Sequence, residues 1–284
     1  MNHLILGGTG TVGGAVMHAM LAKGETVRVL TRSEEKVKAL PKGATGVVGD
    51  LIDPLTYDSI FKGSDSMFLL IANSISETFE ALSALNEAKK RGYKKIVYLS
   101  VHNPGDGPHI AHFGAKSIIE DAIRKSGIPY TILQPNNFYQ NDHWFKDAIL
   151  QYAVYPQPIG DVGISRVDVR DIADAAVNAL TTNNHANKTY ALVGPDVCTG
   201  KSSAEVYSRL MGKEIKYGGH DMNAWYEQWR QWIPAWMAYE FRIMYELFQT
   251  VGLKATPAQL KETETVLGRA PRRFEDFARE LLGK

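Results

Sequence analysis

A glycine-rich run near the start of the chain, Gly7-Gly8-Thr9-Gly10-Thr11-Val12-Gly13-Gly14, has the composition and spacing of a phosphate cradle. In its G-x-x-G-x-x-G pattern, Gly7 permits a tight turn and Gly10 leaves the backbone open to a diphosphate. Gly13 lets a following helix pack closely on a sheet. A helix opening at this point adds unpaired N–H groups and positive partial charge. No Lys followed by Ser or Thr closes the loop, which argues against a nucleoside-triphosphate site. A second group, Thr31-Arg32-Ser33 with Lys36, follows the next apolar run. A carboxylate there would hold a ribose 2′-OH and repel a 2′-phosphate. Arg32 instead offers a bidentate fork, and Ser33 a further hydrogen bond, so NADP(H) is favoured over NAD(H). The plainer alternative is a solvated arginine at a strand end. Asp50, after Val47-Val48-Gly49, could accept from an adenine amino group or simply make a turn.

Other polar pairs carry less. His109 and His112 are three apart and could share a helix face, but no cysteine or clear carboxylate partner stands nearby, so no metal is expected. Asp168 is placed to cap a helix, with Asp171 in its first turn where negative charge is favoured. Trp225, Trp229, Trp232 and Trp236, followed by Phe241, Tyr245 and Phe248, form one helical stripe that Pro234 must bend or restart. That stripe reads as small-domain core or dimer interface, or else as an aromatic wall over a ligand.

The elements that must position these residues alternate. Strands are predicted at 3–6, 26–31, 46–48, 66–71, 95–100 and 130–134, and helices at 12–22, 34–39, 55–61, 77–91 and 111–126. Such alternation implies parallel pairing with right-handed crossovers and helices on both faces. The expected class is α/β, a doubly wound parallel sheet of Rossmann type with a smaller, mostly helical C-terminal substrate domain. Ligands then sit beyond the carboxyl ends of the strands. Domain boundaries are expected at 1–150 and 151–284, with 164–193 packing back on the first domain. Further strands are predicted at 188–193 and 214–217. From Asp221 the chain is nearly all helix, interrupted at Pro234, Gly252, Pro257 and Pro271.

Composition sets outer limits. The 284 residues are 44% apolar and 22% charged, ordinary for a soluble protein with a substantial core. A net charge of +1 gives no support for a nucleic-acid or membrane partner. The single cysteine, Cys198, excludes an internal disulfide framework and fits a reducing compartment. With no basic leader and no long apolar stretch, a cytoplasmic protein is expected, as monomer or homodimer.

Taken together, the chain resembles the NmrA-like family of atypical short-chain dehydrogenases/reductases. The likeness rests on the glycine loop, Gly49-Asp50-Leu51, Lys95-Ile96-Val97-Tyr98-Leu99-Ser100 and Ser126-Gly127-Ile128-Pro129-Tyr130-Thr131-Ile132-Leu133. It continues through Pro135–Asn141, Asp168–Ala173 and Leu267-Gly268-Arg269-Ala270-Pro271. The family includes NAD(P)H-dependent quinone and dye reductases as well as redox-sensing regulators without turnover, so the resemblance implies the cofactor more strongly than an activity. It implies that Gly7, Thr9, Gly10, Thr11 and Val12 hold the pyrophosphate and Arg32 the adenosine ribose end. Asp50 and Leu51 would flank the adenine, and Ala72 and Asn73 would lie along the cofactor. Lys116 would reach the nicotinamide ribose, with Pro135, Asn136 and Phe138 beside the nicotinamide. Gln134 stands where the family often has arginine.

The wider superfamily reduces carbonyls with a Tyr-x-x-x-Lys pair and a serine at the preceding strand end. Here the matching residues are Ser100, His112 and Lys116, with histidine in place of tyrosine. A neighbouring Lys116 cation would disfavour the imidazolium that His112 needs as a general acid. His112 could equally be a polar lining residue or a helix-end residue. Quinone reduction asks less, because its product is a phenolate-like oxygen whose conjugate acid lies near ~10 rather than ~15.7. The expectation is an NADP(H)-dependent reductase of a small hydrophobic aromatic acceptor. The alternative is an NADP(H)-binding regulator.

Overall fold

The computed structural model describes residues 1–103 and 105–284. Short apolar runs build the strands β1 (His3–Ile5), β2 (Val27–Thr31), β3 (Ala44–Val48), β4 (Ser66–Leu69), β5 (Lys95–Leu99) and β6 (Tyr130–Pro135). Between them run the helices α1 (Thr11–Ala22), α2 (Glu34–Lys38), α3 (Tyr57–Phe61), α4 (Glu77–Lys90) and α5 (Ala111–Lys125). After β6 a 3-10 segment at Tyr139–Phe145 leads into α6 (Lys146–Tyr152) and β7 (Val154–Tyr155), then α7 (Val169–Thr181) and β8 (Lys188–Leu192). The chain finishes with α8 (Gly200–Met211), β9 (Lys216–Tyr217), α9 (Met222–Trp229), α10 (Ala235–Thr250), α11 (Pro257–Leu267) and α12 (Phe274–Leu281).

Seven strands form one sheet in the order β3-β2-β1-β4-β5-β6-β8, every pair parallel. The expected doubly wound α/β architecture is present. Winding reverses between β1 and β4, so the loops after these two strands open onto the crevice where such sheets bind ligands. Both sheet faces are apolar because both are covered. On one side Val16, Met17 and Met20 of α1 pack with Ile172, Ala176 and Leu180 of α7. On the other, Ala81, Ala84 and Ala88 of α4 pack with Ile119 and Ile123 of α5. A separate aromatic core, including Tyr207, Trp225, Tyr245 and Phe274, joins α8, α9, α10 and α12. Among the described residues no helix is long and apolar enough to cross a membrane.

Two regions depart from expectation. Segment 200–211, for which no element is predicted, forms α8, with Ala204, Tyr207 and Leu210 on its buried face and a reciprocal capping box of Thr199 and Ser202 at its start. The predicted strand at 214–217 shrinks to two residues paired with β7, in a small second sheet.

Candidate functional site

The glycine loop has the close packing that its spacing predicts. Gly7 adopts a φ of +70° in the turn leaving β1. A Cβ on Gly13 would stand 2.2 Å from the Gly7 carbonyl oxygen, so only glycine allows α1 to press against the loop. Gly8 is pressed less severely, since a Cβ there would lie 2.7 Å from Val29 Cγ1. Gly10 begins α1 without any side-chain cap, leaving the first-turn amides of Thr11, Val12 and Gly13 without a partner inside the helix. Thr9, Gly10 and Thr11 are exposed, whereas Val12 is buried and can offer only its backbone. Free amides, a positive helix end and an open approach fit a diphosphate.

Along the same sheet edge, Arg32 is exposed at the end of β2 and makes no ion pair or hydrogen bond among the described residues. Its fork is available to an outside anion. Ser33 is partly committed, since its hydroxyl oxygen caps α2 by accepting from the Lys36 amide at 3.4 Å. Asp50 does make a turn: one carboxylate oxygen accepts from the Ile52 amide at 3.0 Å. That bond leaves its other oxygen free for a ligand, so the two sequence readings are compatible. Leu51 is only 4% exposed and packs in the core with Ile60 and Phe61, so it has little surface to lay against an adenine. Ala72 is exposed after β4, and Asn73 is half-buried beside it.

Beyond the carboxyl ends of β5 and β6 lies a cavity of about 250 Å³. Ser100, His112 and Lys116 form one part of its wall, and Pro135, Asn136 and Phe138 another. The remainder is largely Phe113, Phe241, Met244, Tyr245, Phe248 and Leu253. Four of these come from α10 at positions 241, 244, 245 and 248, one helical face. Trp144, 62% exposed, stands at the edge. The sequence-predicted catalytic residues are therefore together, in an apolar, aromatic setting.

Their hydrogen bonds change what they can do. Lys116 is not a free cation: its Nζ donates to Glu77 Oε1 at 2.6 Å, and Glu77 is buried. The Lys116 charge on the same helix as His112 is therefore paired. A second carboxylate, Glu240 of α10, lies 3.0 Å from His112 Nδ1, close enough to pair but out of line for a ring N–H bond. The same Glu240 oxygen accepts the His112 backbone N–H at 2.5 Å, and its other oxygen accepts from Asn73 Nδ2 at 2.9 Å. Burial pushes the Glu240 carboxyl up, but the His112 contacts and the Asn73 amide outweigh it and hold the group below the usual carboxylate range. Ser100 is also occupied. Its hydroxyl donates to buried Glu120 at 2.5 Å, and Gln134 donates to the same oxygen at 2.8 Å. Glu120 in turn accepts from Arg124 at 2.7 Å. Gln134 thus serves this internal network.

The loop after β6 is held from beneath. Asn136 is buried, and its side-chain amide reaches both His102 Nδ1 and the Leu253 carbonyl at 2.8 Å. It is spent on structure, which leaves the half-buried Asn137, Phe138 and Asn141 as the more open groups beside the buried Pro135. Arg166, fully buried, donates to the Phe138 carbonyl at 2.7 Å, to Asn137 Oδ1 at 3.1 Å and to Asp142 at 2.7 Å. Tyr155 and Tyr207 complete the shell around Asp142. Burial works against the Arg166 charge, but Asp142 holds its proton firmly. Asp168 and Asp171 are likewise structural. Asp168 caps α7 through the Arg170 amide at 2.8 Å, and Asp171 receives Arg269 at 2.7 Å and the Arg272 amide at 2.7 Å.

The aromatic stripe divides. Trp225 is buried and stacks on Trp229 within the C-terminal core, while Trp232 is 80% exposed beyond α9. None of the four tryptophans lines the cavity; Phe241, Tyr245 and Phe248 do. Glu77, Glu240, Glu120 and Arg166 escaped the sequence reading. Nothing in their own stretches marked them, because Glu77 and Glu240 find their partners 39 and 128 positions away.

The NmrA-like family model matches residues 3–278. An NAD(P)H azoreductase from Xenophilus azovorans is 27% identical over 281 residues, covering 97% of this chain and 96% of the relative. Among solved structures, an NADPH-dependent quinone oxidoreductase from Escherichia coli, complexed with NADPH, superposes with a TM-score of 0.87. It is 21% identical, with 99% of each chain covered. A triphenylmethane reductase from Citrobacter sp. superposes at 0.88, with 20% identity and 100% of each chain covered. At these identities the two structures speak for the fold.

Proposed function

The chain belongs to the NmrA-like family, and from that premise we propose that it is an NADPH-dependent reductase of flat, apolar, conjugated acceptors such as quinones. The observation that carries this reading is the aromatic cavity of about 250 Å³ on the same sheet edge as the diphosphate cradle. The nature of the azoreductase relative supports it.

The residues present fit the cofactor. Amides of Thr11 and Val12 would hold the diphosphate with Gly7, Thr9 and Gly10 shaping the approach, and Arg32 would meet the 2′-phosphate. Asp50 offers its free carboxylate oxygen at the adenine end. Ala72 and Asn73 lie on the path toward the cavity, and Lys116, Pro135 and Phe138 wall the nicotinamide end. When bound there, the reduced nicotinamide supplies the hydride. The chain's own part is to align a planar acceptor and exclude water. Phe113, Phe241, Tyr245 and Phe248 present ring surface for this, and reacting partners held in near-attack geometry gain most of the advantage available without acid–base work.

The engaged Ser100 hydroxyl weakens a simple-ketone reading, because it already donates to Glu120. A quinone makes less demand on a proton donor, since its reduced oxygen is a phenolate of conjugate acid near ~10. The test mixes purified protein and NADPH with quinones, azo compounds and simple ketones while the reduced-nicotinamide absorbance is followed. Acceptor-dependent oxidation with quinones above ketones is expected. Tight NADPH binding without any acceptor-dependent oxidation would replace the enzyme with a cofactor-sensing binding protein.

A further inference from the structure

Glu240 lies 128 residues from His112 in sequence, yet closes on it from α10. It is 6% exposed and every polar contact it makes is to the site: the His112 amide, the His112 ring and the Asn73 side chain. The start of α5 has no side-chain cap of its own, since Ile110 stands at that position. Glu240 supplies the missing acceptor from another element, where a helix N-terminus favours negative charge. The same oxygen lies 3.0 Å from Nδ1, which sets a negative charge beside this nitrogen and leaves Nε2 as the ring atom for the cavity that His112 lines. The ring is further fixed edge-on against Phe113, with centroids 4.8 Å apart, and against Phe241 at 6.5 Å. The charged groups near the ring from packed elements are Glu240 from α10 and Lys116 of α5, the latter neutralised by Glu77 of α4.

We propose that Glu240 is a positioning residue that fixes His112 as the proton donor to the reduced acceptor. This rests on the reductase reading and adds to it. With the cofactor bound, its hydride would bring two electrons to the quinone, and the resulting phenolate oxygen would take the Nε2 proton of a His112 imidazolium. The O–H bond forms as the N–H bond breaks, the imidazole is left neutral, and solvent at the cavity edge reprotonates it. Glu240 keeps its own charge throughout and stands 3.0 Å from Nδ1 as the ring gives up its Nε2 proton.

The test compares two acceptors. A quinone needs a proton with its hydride; a triarylmethyl cation becomes neutral on taking hydride and needs none. Glu240→Gln removes the charge and keeps one acceptor oxygen for the His112 amide, while its NH2 group can donate to an Asn73 side chain turned to present its oxygen. Its quinone-to-dye rate ratio should fall about 100-fold, the scale of lost acid assistance, with the NADPH KM little changed. His112→Gln should give a similar fall, and the double variant no more than either alone. In the cofactor-free protein, the nitrogen NMR signature of a protonated His112 Nδ1 should be present and should weaken in Glu240→Gln. If the wild-type chain oxidises NADPH with neither acceptor, the reductase reading itself fails. If it reduces both but Glu240→Gln slows them equally, or leaves the Nδ1 signature intact, the positioning role is overturned.

Discussion

Replacing Arg32 by alanine removes the one unpaired guanidinium at the end of β2. No internal partner is stranded by the change, since the side chain makes no bond among the described residues, so the fold should keep its melting temperature. The loss falls on the ligand alone. A hydrogen bond to a charged group is worth about 1.5–3 kcal/mol, and screening at this exposed position favours the lower part of that range. At 1.36 kcal/mol per tenfold, NADPH should bind about 10- to 30-fold more weakly, while NADH, which lacks the 2′-phosphate, should change less than about twofold. Arg32→Asp should go further and reverse the preference, because a carboxylate accepts the 2′-OH pair and repels a phosphate. Calorimetric titration of both nucleotides against wild type and the two variants measures this. Equal weakening of NADPH and NADH by Arg32→Ala, or no weakening of either, would refute the assignment of the 2′-phosphate to this residue.

Two further perturbations follow from the packing. Gly13→Ala puts a Cβ 2.2 Å from the Gly7 carbonyl oxygen, so the cradle must open and NADPH binding should be lost, whereas Gly14→Ala meets its nearest atom at 3.6 Å. The second change fills a helical glycine and should raise stability by about 0.5–1 kcal/mol with binding kept, which thermal melts with and without NADPH will distinguish. His102 is buried and burial pushes its ring down to about 4, against 6.5 when unfolded. The unfolded chain therefore binds a proton between these values that the folded chain refuses. Stability from this residue is whole above pH 6.5 and declines as pH falls to about 4, by about 3 kcal/mol in all. Denaturant melts across that window should show the decline and its reduction in His102→Gln; a flat profile in wild type would contradict it.

How much could be read in advance depended on how local the cause is. The glycine loop was legible because its requirements arise within seven residues, where Gly13 meets Gly7, and because the alternation of strand and helix around it is a short-range pattern. The gathering of Ser100, His112, Lys116, Pro135 and Phe138 around one cavity followed from topology, all standing at the carboxyl ends of β5 and β6 or on the helix between. What stayed hidden were charges whose partners are distant. Lys116 meets Glu77 from 39 positions away and His112 meets Glu240 from 128, and on their own helices these glutamates look like ordinary solvated positions. The tryptophan spacing reached the aromatic core only at Trp225 and Trp229, since Trp232 and Trp236 are exposed, and which rings face the cavity depends on how α10 is rotated against the sheet. Period alone does not set that rotation.

The central claim is that one sheet edge carries both the diphosphate cradle and the chamber where hydride is handed over. A crystal structure of the chain grown with NADP+ examines it directly. The account predicts phosphate oxygens within hydrogen-bond reach of the Thr11 and Val12 amides, and a nicotinamide ring laid against Pro135 and Phe138 at the cavity wall. A nucleotide bound with its diphosphate away from the start of α1, or with its nicotinamide outside that cavity, would contradict it.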